Sequence, residues 1–243
     1  MPFDKWRITM DVKELNKWFL LPEYDKEEKE FKRFLKLGKI KGKNILIIGA
    51  YGAMSLSFKF AQYAKSVTAI HDDKKIINHC KKKKSNIKFF MGNVMRLKFP
   101  NESFDVIISA WAGLHYYKSK ALIVKELKRI LKKNGTLLIE EADETSEYVK
   151  ILNIIAPKRK LKIKQRRAEL KNTLRKHFVM VENKLKTYYR FKNKNQFKRY
   201  FRKEIIFNEK KKYPPQMDKK LDAYITKKRT LNVEEKSIIF VCK

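Results

Sequence analysis

The sequence predicts an α/β protein built on a doubly wound, mostly parallel sheet, and three observations predict it. Five short apolar runs recur along the chain: Ile45 to Ile48, Val67 to Ile70, Ile87 to Phe90, Phe104 to Ser109 and Thr136 to Ile139. Each is continuous rather than alternating, as expected of parallel strands covered on both faces. Helical stretches separate them, and strands alternating with helices at this spacing form βαβ units.

Before the first run, Trp18, Phe19 and Leu20 precede Pro22, and Asp25 stands where it can cap a helix. That helix carries Phe31, Phe34, Leu35 and Leu37 on one face and ends at Gly38, so residues 1–42 read as a helical N-terminal extension. The run Ile45 to Ile48 leads into Gly49-Ala50-Tyr51-Gly52-Ala53, and Leu56, Phe58, Phe60, Ala61 and Ala64 then follow helical spacing. The second run ends in His71-Asp72-Asp73. The helix around Ile76 and Ile77 runs out in Lys81 to Lys84. Gly92-Asn93 follows the third run, and Pro100-Asn101-Glu102-Ser103 turns the chain into the fourth. From Ser119 to Leu131 the pattern is amphipathic, with Asn134-Gly135 expected to close that helix before the fifth run.

After Glu144 the rhythm breaks. Tyr148 to Lys176 is basic and helical in pattern, and is expected to cover the carboxyl edge of the sheet. Phe178 to Val181 begins a further strand, Asn193 to Tyr200 a short helix, and a lysine-rich loop holds Pro214-Pro215. Ser237 to Val241 makes the last strand, which with the preceding one fits an antiparallel hairpin at a sheet edge.

Composition narrows the classes. Among 243 residues, 60 Lys and Arg stand against 26 Asp and Glu, a formal charge of +34, while 43% of residues are hydrophobic. A chain this apolar can bury a core, so wholesale disorder is excluded. No stretch reaches the roughly 20 apolar residues that cross a bilayer, and the N-terminus has no apolar signal segment, so a cytoplasmic protein is expected. Cys80 and Cys242 are too few for a disulfide framework, and no His, Cys or carboxylate cluster has the spacing of a metal site. The charge attracts polyanions, RNA among them. The basic region from Lys158 to Arg167 is the densest contact surface for one. Further on, Tyr188, Tyr189, Arg190, Phe191, Phe197, Arg199, Tyr200, Phe201 and Arg202 interleave aromatics with cations, a pattern that serves either to stack bases or as the inner face of amphipathic elements.

In open parallel sheets, ligands bind outside the carboxyl ends of the strands, where the strand order reverses. The first βα turn, with Gly49 and Gly52, is therefore the candidate cofactor loop, and Asp72 lies about 20 residues on, where an acid can bond a ribose. The wider pattern resembles the class I S-adenosylmethionine-dependent methyltransferases, especially their type 11 group. The resemblance is carried by Gly92-Asn93, Leu97-Lys98-Phe99-Pro100, Ser103-Phe104-Asp105-Val106, Ala110 to Tyr116, and Leu127 to Leu137. It implies a Rossmann-like, seven-stranded sheet with an antiparallel last strand, a methyltransferase-like domain over residues 43–243, and a basic helical lid over 148–176. It also implies S-adenosyl-L-methionine as cofactor, contacted by Gly49, Ala50, Tyr51, Gly52, His71, Asp72, Asn93, Val94, Ser109 and Ala110. The chain departs from the family pattern at four places. Ile47 stands where an acid precedes the loop, Tyr51 and Ala53 replace glycines, His71 aligns with the ribose-binding acid, and Asn93 aligns with the adenine-binding Asp.

No Asn-Pro-Pro-Tyr-like element follows the fourth run, and neither cysteine is placed for a covalent thiol mechanism. His115 and Tyr116 stand where a base or clamp belongs, and Glu140, with Glu141, Asp143 and Glu144, forms the most acidic patch, suited to a base or a cationic substrate or to a solvated loop face. The expected function is methyl transfer to an acceptor such as RNA. The competing one is a catalytically inactive methyltransferase-like protein that binds nucleic acid or a protein partner, and an NAD-dependent oxidoreductase is disfavoured by the spacing of the loop.

Overall fold

Eight strands form one sheet in the order β1-β7-β8-β6-β5-β2-β3-β4. They are β1 (Glu23–Tyr24), β2 (Asn44–Gly49), β3 (Ser66–His71), β4 (Ile87–Met91), β5 (Phe104–Ala110), β6 (Leu131–Ala142), β7 (Met180–Arg190) and β8 (Asn232–Cys242). The helices are α1 (Lys29–Gly38), α2 (Tyr51–Phe60), α3 (Lys120–Ile130), α4 (Glu147–Ile155), α5 (Arg159–Arg175), α6 (Lys194–Glu209) and α7 (Gln216–Thr226). The structure is a computed structural model that describes residues 22–49, 51–71, 77–78, 86–111, 114, 117, 119–157, 159–209 and 216–243. Of the expected helix around Ile76 and Ile77 only residues 77–78 are described, and these are helical; the Pro214-Pro215 loop and the residues before 22 lie outside.

Strands β2 to β6 are mutually parallel, β8 runs antiparallel to β6, and β7 runs antiparallel to β8. The chain moves outward from β2 to β3 and β4, then returns to the other side of β2 as β5, so the order reverses between β2 and β5. Every second strand residue faces the same way. Ile45, Ile47, Val106, Ile108 and Leu138 pack under Phe31 and Phe34 of α1 and Leu56 and Phe60 of α2. Leu46, Ile48, Ile107, Leu137 and Ile139 meet Ile123 and Leu127 of α3 and Leu170 and Leu174 of α5. Each such fully buried side chain contributes about 1.5–3 kcal/mol.

A third core sits apart, at the carboxyl edge. Ile151, Leu152 and Ile155 of α4, Phe197, Tyr200 and Phe201 of α6, Leu221 and Ile225 of α7, and Phe191 and Val233 pack together there. Tyr188 stands apart, with Lys29 and Lys186 over its ring, whereas Phe191, Phe197, Tyr200 and Phe201, with Tyr189 against them, are the inside of a helical cap. They are not a platform for stacked bases. The expected lid over 148–176 divides: α4 joins this cap, whereas α5 runs along the sheet face beside α3. The rest of the cap comes from residues 194–226, beyond the expected lid.

Two further differences concern the sheet. An eighth strand exists because Glu23 and Tyr24 pair with Arg190 and Tyr189 at the end of β7; two residues leave no periodicity to read. From there Asp25 does cap α1, accepting the backbone N–H groups of Lys29 at 3.0 Å and Glu30 at 2.7 Å. At the other end of the fold, α3 stops at Ile130 and Leu131 is already extended. Leu131 pairs with Phe104, the next pair is Thr136 with Val106, and Lys132 to Gly135 bulge between them. Asn134-Gly135 therefore belongs to a strand bulge and not to a helix end.

Candidate functional site

The carboxyl ends of five parallel strands, β2 to β6, lie side by side. Register sets Gly49 beside Ala110 and Ile48 beside Ile70, His71 beside Met91, and Ala110 beside Glu140. Gly92, just past β4, donates its N–H to the His71 carbonyl at 3.2 Å. A side chain on Gly92 would meet Ile70 Cγ2 at 3.1 Å, so glycine keeps this turn low. Asn93 is exposed. Its Oδ1 accepts the Met95 N–H at 2.9 Å, which leaves one oxygen lone pair and both amide hydrogens for a ligand.

The structure thus sets Gly49, His71 and, just past β4, Asn93 at the carboxyl ends of three neighbouring strands, with Gly49 at the strand-order reversal. Tyr51 and Gly52 open helix α2, so the helix begins within the expected loop. Val94, Ser109 and Ala110 are buried; Val94 packs in the core with Leu97, and Ala110 beneath α1 and α2. Ala50, Asp72, His115 and Tyr116 lie outside the described residues.

At the end of β5 begins a polar network that crosses four parts of the chain. Trp111, the residue after β5, has φ +53°, a backbone conformation that costs a bulky residue on the order of 1–2 kcal/mol. Its indole Nε1–H donates to Glu30 Oε1 of α1 at 2.6 Å. The Glu30 carboxyl lies close against that of Glu140 at the end of β6, and Glu140 accepts the Ser237 Oγ–H at 2.6 Å. Glu30 is 6% exposed and Glu140 1%. Burial, reinforced by the neighbouring Glu30, holds Glu140 well above the usual carboxylate range. Burial likewise raises Glu30, against the bonds it receives from Glu140 and Trp111. Two carboxyls in contact inside a protein share a proton, since both cannot carry charge there. Tyr24, buried beside both, is also raised by burial and by their charge.

This environment changes what Glu140 can do. A protonated, buried acid bonded to Glu30 and Ser237 is neither a ready base nor an open counter-ion for a cationic substrate. The residues after it are not a solvated face either. Glu141 and Asp143 are buried, Asp143 Oδ1 accepts the Thr145 N–H at 2.8 Å, and Glu144 pairs with Arg167. Glu30 and Trp111 were not singled out in the sequence. The readable signal was an acid on the buried stripe of α1, four residues before Phe34. Among the described residues no group of three His, Cys, Asp or Glu side chains is placed to hold a metal ion, and no helix is long and apolar enough to cross a membrane.

At the opposite, amino, end of the strands a cavity of about 490 Å³ is lined by Lys39, Lys43, Lys132, Lys133 and Lys243, with Asp105 and Glu102. Lys132 bonds Asp105 at 2.9 Å.

A parallel sheet whose strand order reverses between β2 and β5, with an antiparallel hairpin beyond β6, is a Rossmann-like α/β fold. Residues 47–139 match the family profile described as "Methyltransferase domain". YcgJ, an uncharacterized methyltransferase of Bacillus subtilis, is 29% identical over 119 residues, 45% of this chain and 46% of that protein. The 2-methyl-6-phytyl-1,4-hydroquinone methyltransferase of Synechocystis is 38% identical over 66 residues, 27% of this chain and 20% of its own length. In sequence the chain therefore spans less than half of either relative. The crystal structure of YcgJ superposes with a TM-score of 0.60 at 18% identity, covering 88% of this chain and 97% of that one. The cyclase SpnF superposes at 0.56 with 14% identity, over 89% and 80%, so the fold alone does not name a reaction. The fold is thus that of the YcgJ structure, and residues 47–139 are similar to a methyltransferase domain.

Proposed function

We propose that this chain is an S-adenosyl-L-methionine-dependent methyltransferase acting on RNA. The observation that carries the cofactor half is that Gly49, His71 and Asn93 stand at or just past the carboxyl ends of neighbouring parallel strands. The polar groups there suit a nucleoside. Asn93 offers a free acceptor lone pair to an adenine amine, His71 stands at the ribose position, and the low turns at Gly49 and Gly92 let a ligand approach the backbone. When bound, the cofactor supplies an electrophilic methyl group. Methyl transfer is an in-line displacement, for which holding the acceptor in place supplies much of the rate. The residues that matter are then those that shape the acceptor pocket, and Trp111 borders it.

The RNA half is supported by the charge of +34 and by the exposed Lys160, Lys162 and Lys164 on α5. It draws no support from the buried aromatics of the cap.

Calorimetric titration with S-adenosylhomocysteine tests the reading. Saturable heat is expected, and Asn93→Asp is expected to tighten binding about threefold to tenfold, because a carboxylate makes a stronger bond to the adenine amine. No heat at millimolar ligand would leave a methyltransferase-like binding protein. Unchanged affinity in N93D would remove Asn93 from the adenine edge.

A further inference from the structure

We propose that the Glu30–Glu140 carboxyl pair is a positioning device for Trp111, which makes helix α1, outside the matched family segment, part of the wall that receives the methyl acceptor. The proposal rests on the methyltransferase reading above. Trp111 directly follows Ala110, and Ala110 lies in register with Gly49. The indole therefore starts at the reversal point, where ligands enter such sheets. Its left-handed backbone, at φ +53°, needs a partner to hold it. That partner is Glu30, 2.6 Å from Nε1.

Glu30 is in turn fixed at two points, and its partner Glu140 at one more. Asp25 accepts its backbone N–H at 2.7 Å, Glu140 bonds its carboxyl, and Ser237 holds Glu140 at 2.6 Å. The chain of contacts runs from β8 through β6 and α1 to the residue after β5. Filling space does not require it, since apolar side chains of similar volume pack without the desolvation cost of two buried carboxyls. What apolar packing does not supply is a single orientation for the indole N–H, which a satisfied polar network does.

The groups facing the pair are Tyr24, Asp25 and Lys59 around Glu30, and Tyr24, Glu235 and Ser237 around Glu140. As pH rises, the shared proton leaves, the two carboxylates repel, and the hold on Trp111 loosens.

The test uses the full chain carrying Trp6→Phe and Trp18→Phe, so that Trp111 is the sole indole. S-adenosylhomocysteine is titrated by calorimetry and by Trp111 emission. Added ligand is expected to change the emission. Glu30→Ala is expected to abolish that response and raise acrylamide quenching, with the ligand Kd within about threefold of the parent. Glu30→Gln, which keeps an acceptor for the indole, is expected to retain the response. An emission that ignores ligand while calorimetry records binding overturns the proposal, as does quenching unchanged in E30A. Absence of any binding heat brings down the methyltransferase reading, and this one with it. Where E30A does not fold, the pH profile decides. Trp111 emission is expected to change with rising pH in the parent and to be flat in E30Q, and a flat parent profile overturns the proposal.

Discussion

Glu140 shows how one side chain's surroundings reassign its chemistry. Its position after an apolar run suggests a base or counter-ion, yet 1% exposure and contact with Glu30 keep it protonated where a free carboxyl would ionise. The consequence for stability has a definite sign. A carboxyl in the unfolded chain titrates near 4.5, and the folded value is raised above that. The folded protein therefore binds more protons than the unfolded chain from that point upward, so the pair's contribution is greatest below 4.5 and falls as pH rises through the folded value. Glu140→Gln keeps the hydrogen-bonding pattern of the protonated acid without titrating. Urea midpoints of the parent are expected to decline relative to E140Q as pH rises above about 4.5, and parallel curves would show that the fold does not hold Glu140 protonated. The positions of Gly49, His71 and Asn93 at or next to strand ends were legible in the sequence, because strand ends and glycine turns are local patterns. It did not disclose the Glu30–Trp111 contact, whose partners lie 81 residues apart and meet only through the fold.

Gly135 makes the same point for an element. As a sequence signal it marks a helix end; in the fold it lets β6 resume after a bulge. A Cβ there would lie 2.7 Å from Leu131 Cγ and Cδ1 and 2.9 Å from the Lys132 carbonyl oxygen. The carbonyl is backbone and cannot swing aside. Gly135→Ala is expected to destabilise by about 1–3 kcal/mol, typical of forced overpacking, read as a lower urea midpoint at unchanged slope. A midpoint equal to that of the parent would mean that the bulge relaxes freely. The five parallel strands were readable because burial on both faces demands uninterrupted apolar runs. The two-residue β1 and helix α7 were not. One is too short for any period, and the other buries only Leu221 and Ile225, too few to mark a face.

At the scale of the whole molecule, the charge of +34 is spread widely, so it becomes informative only once the fold sorts it. Several cations are already committed: Arg167 to Glu144, Lys171 to Glu182 and Lys120 to Glu169. Exposed lysines gather on α5, where Lys160, Lys162 and Lys164 follow one another, and again around the cavity at the amino end of the sheet, where Lys39, Lys43 and Lys133 stand. These two groups let local and diffuse attraction be separated, because replacing either triplet with Gln removes the same charge. If α5 carries the RNA contact, K160Q/K162Q/K164Q is expected to lower the slope of log affinity against log salt for a single-stranded RNA by about 2. The charge-matched K39Q/K43Q/K133Q is expected to change it by less than half as much. Equal losses would make RNA attraction a property of net charge with no dedicated surface. Binding without salt dependence, or no binding at all, would remove RNA as the acceptor and leave the charge without a part in methyl transfer.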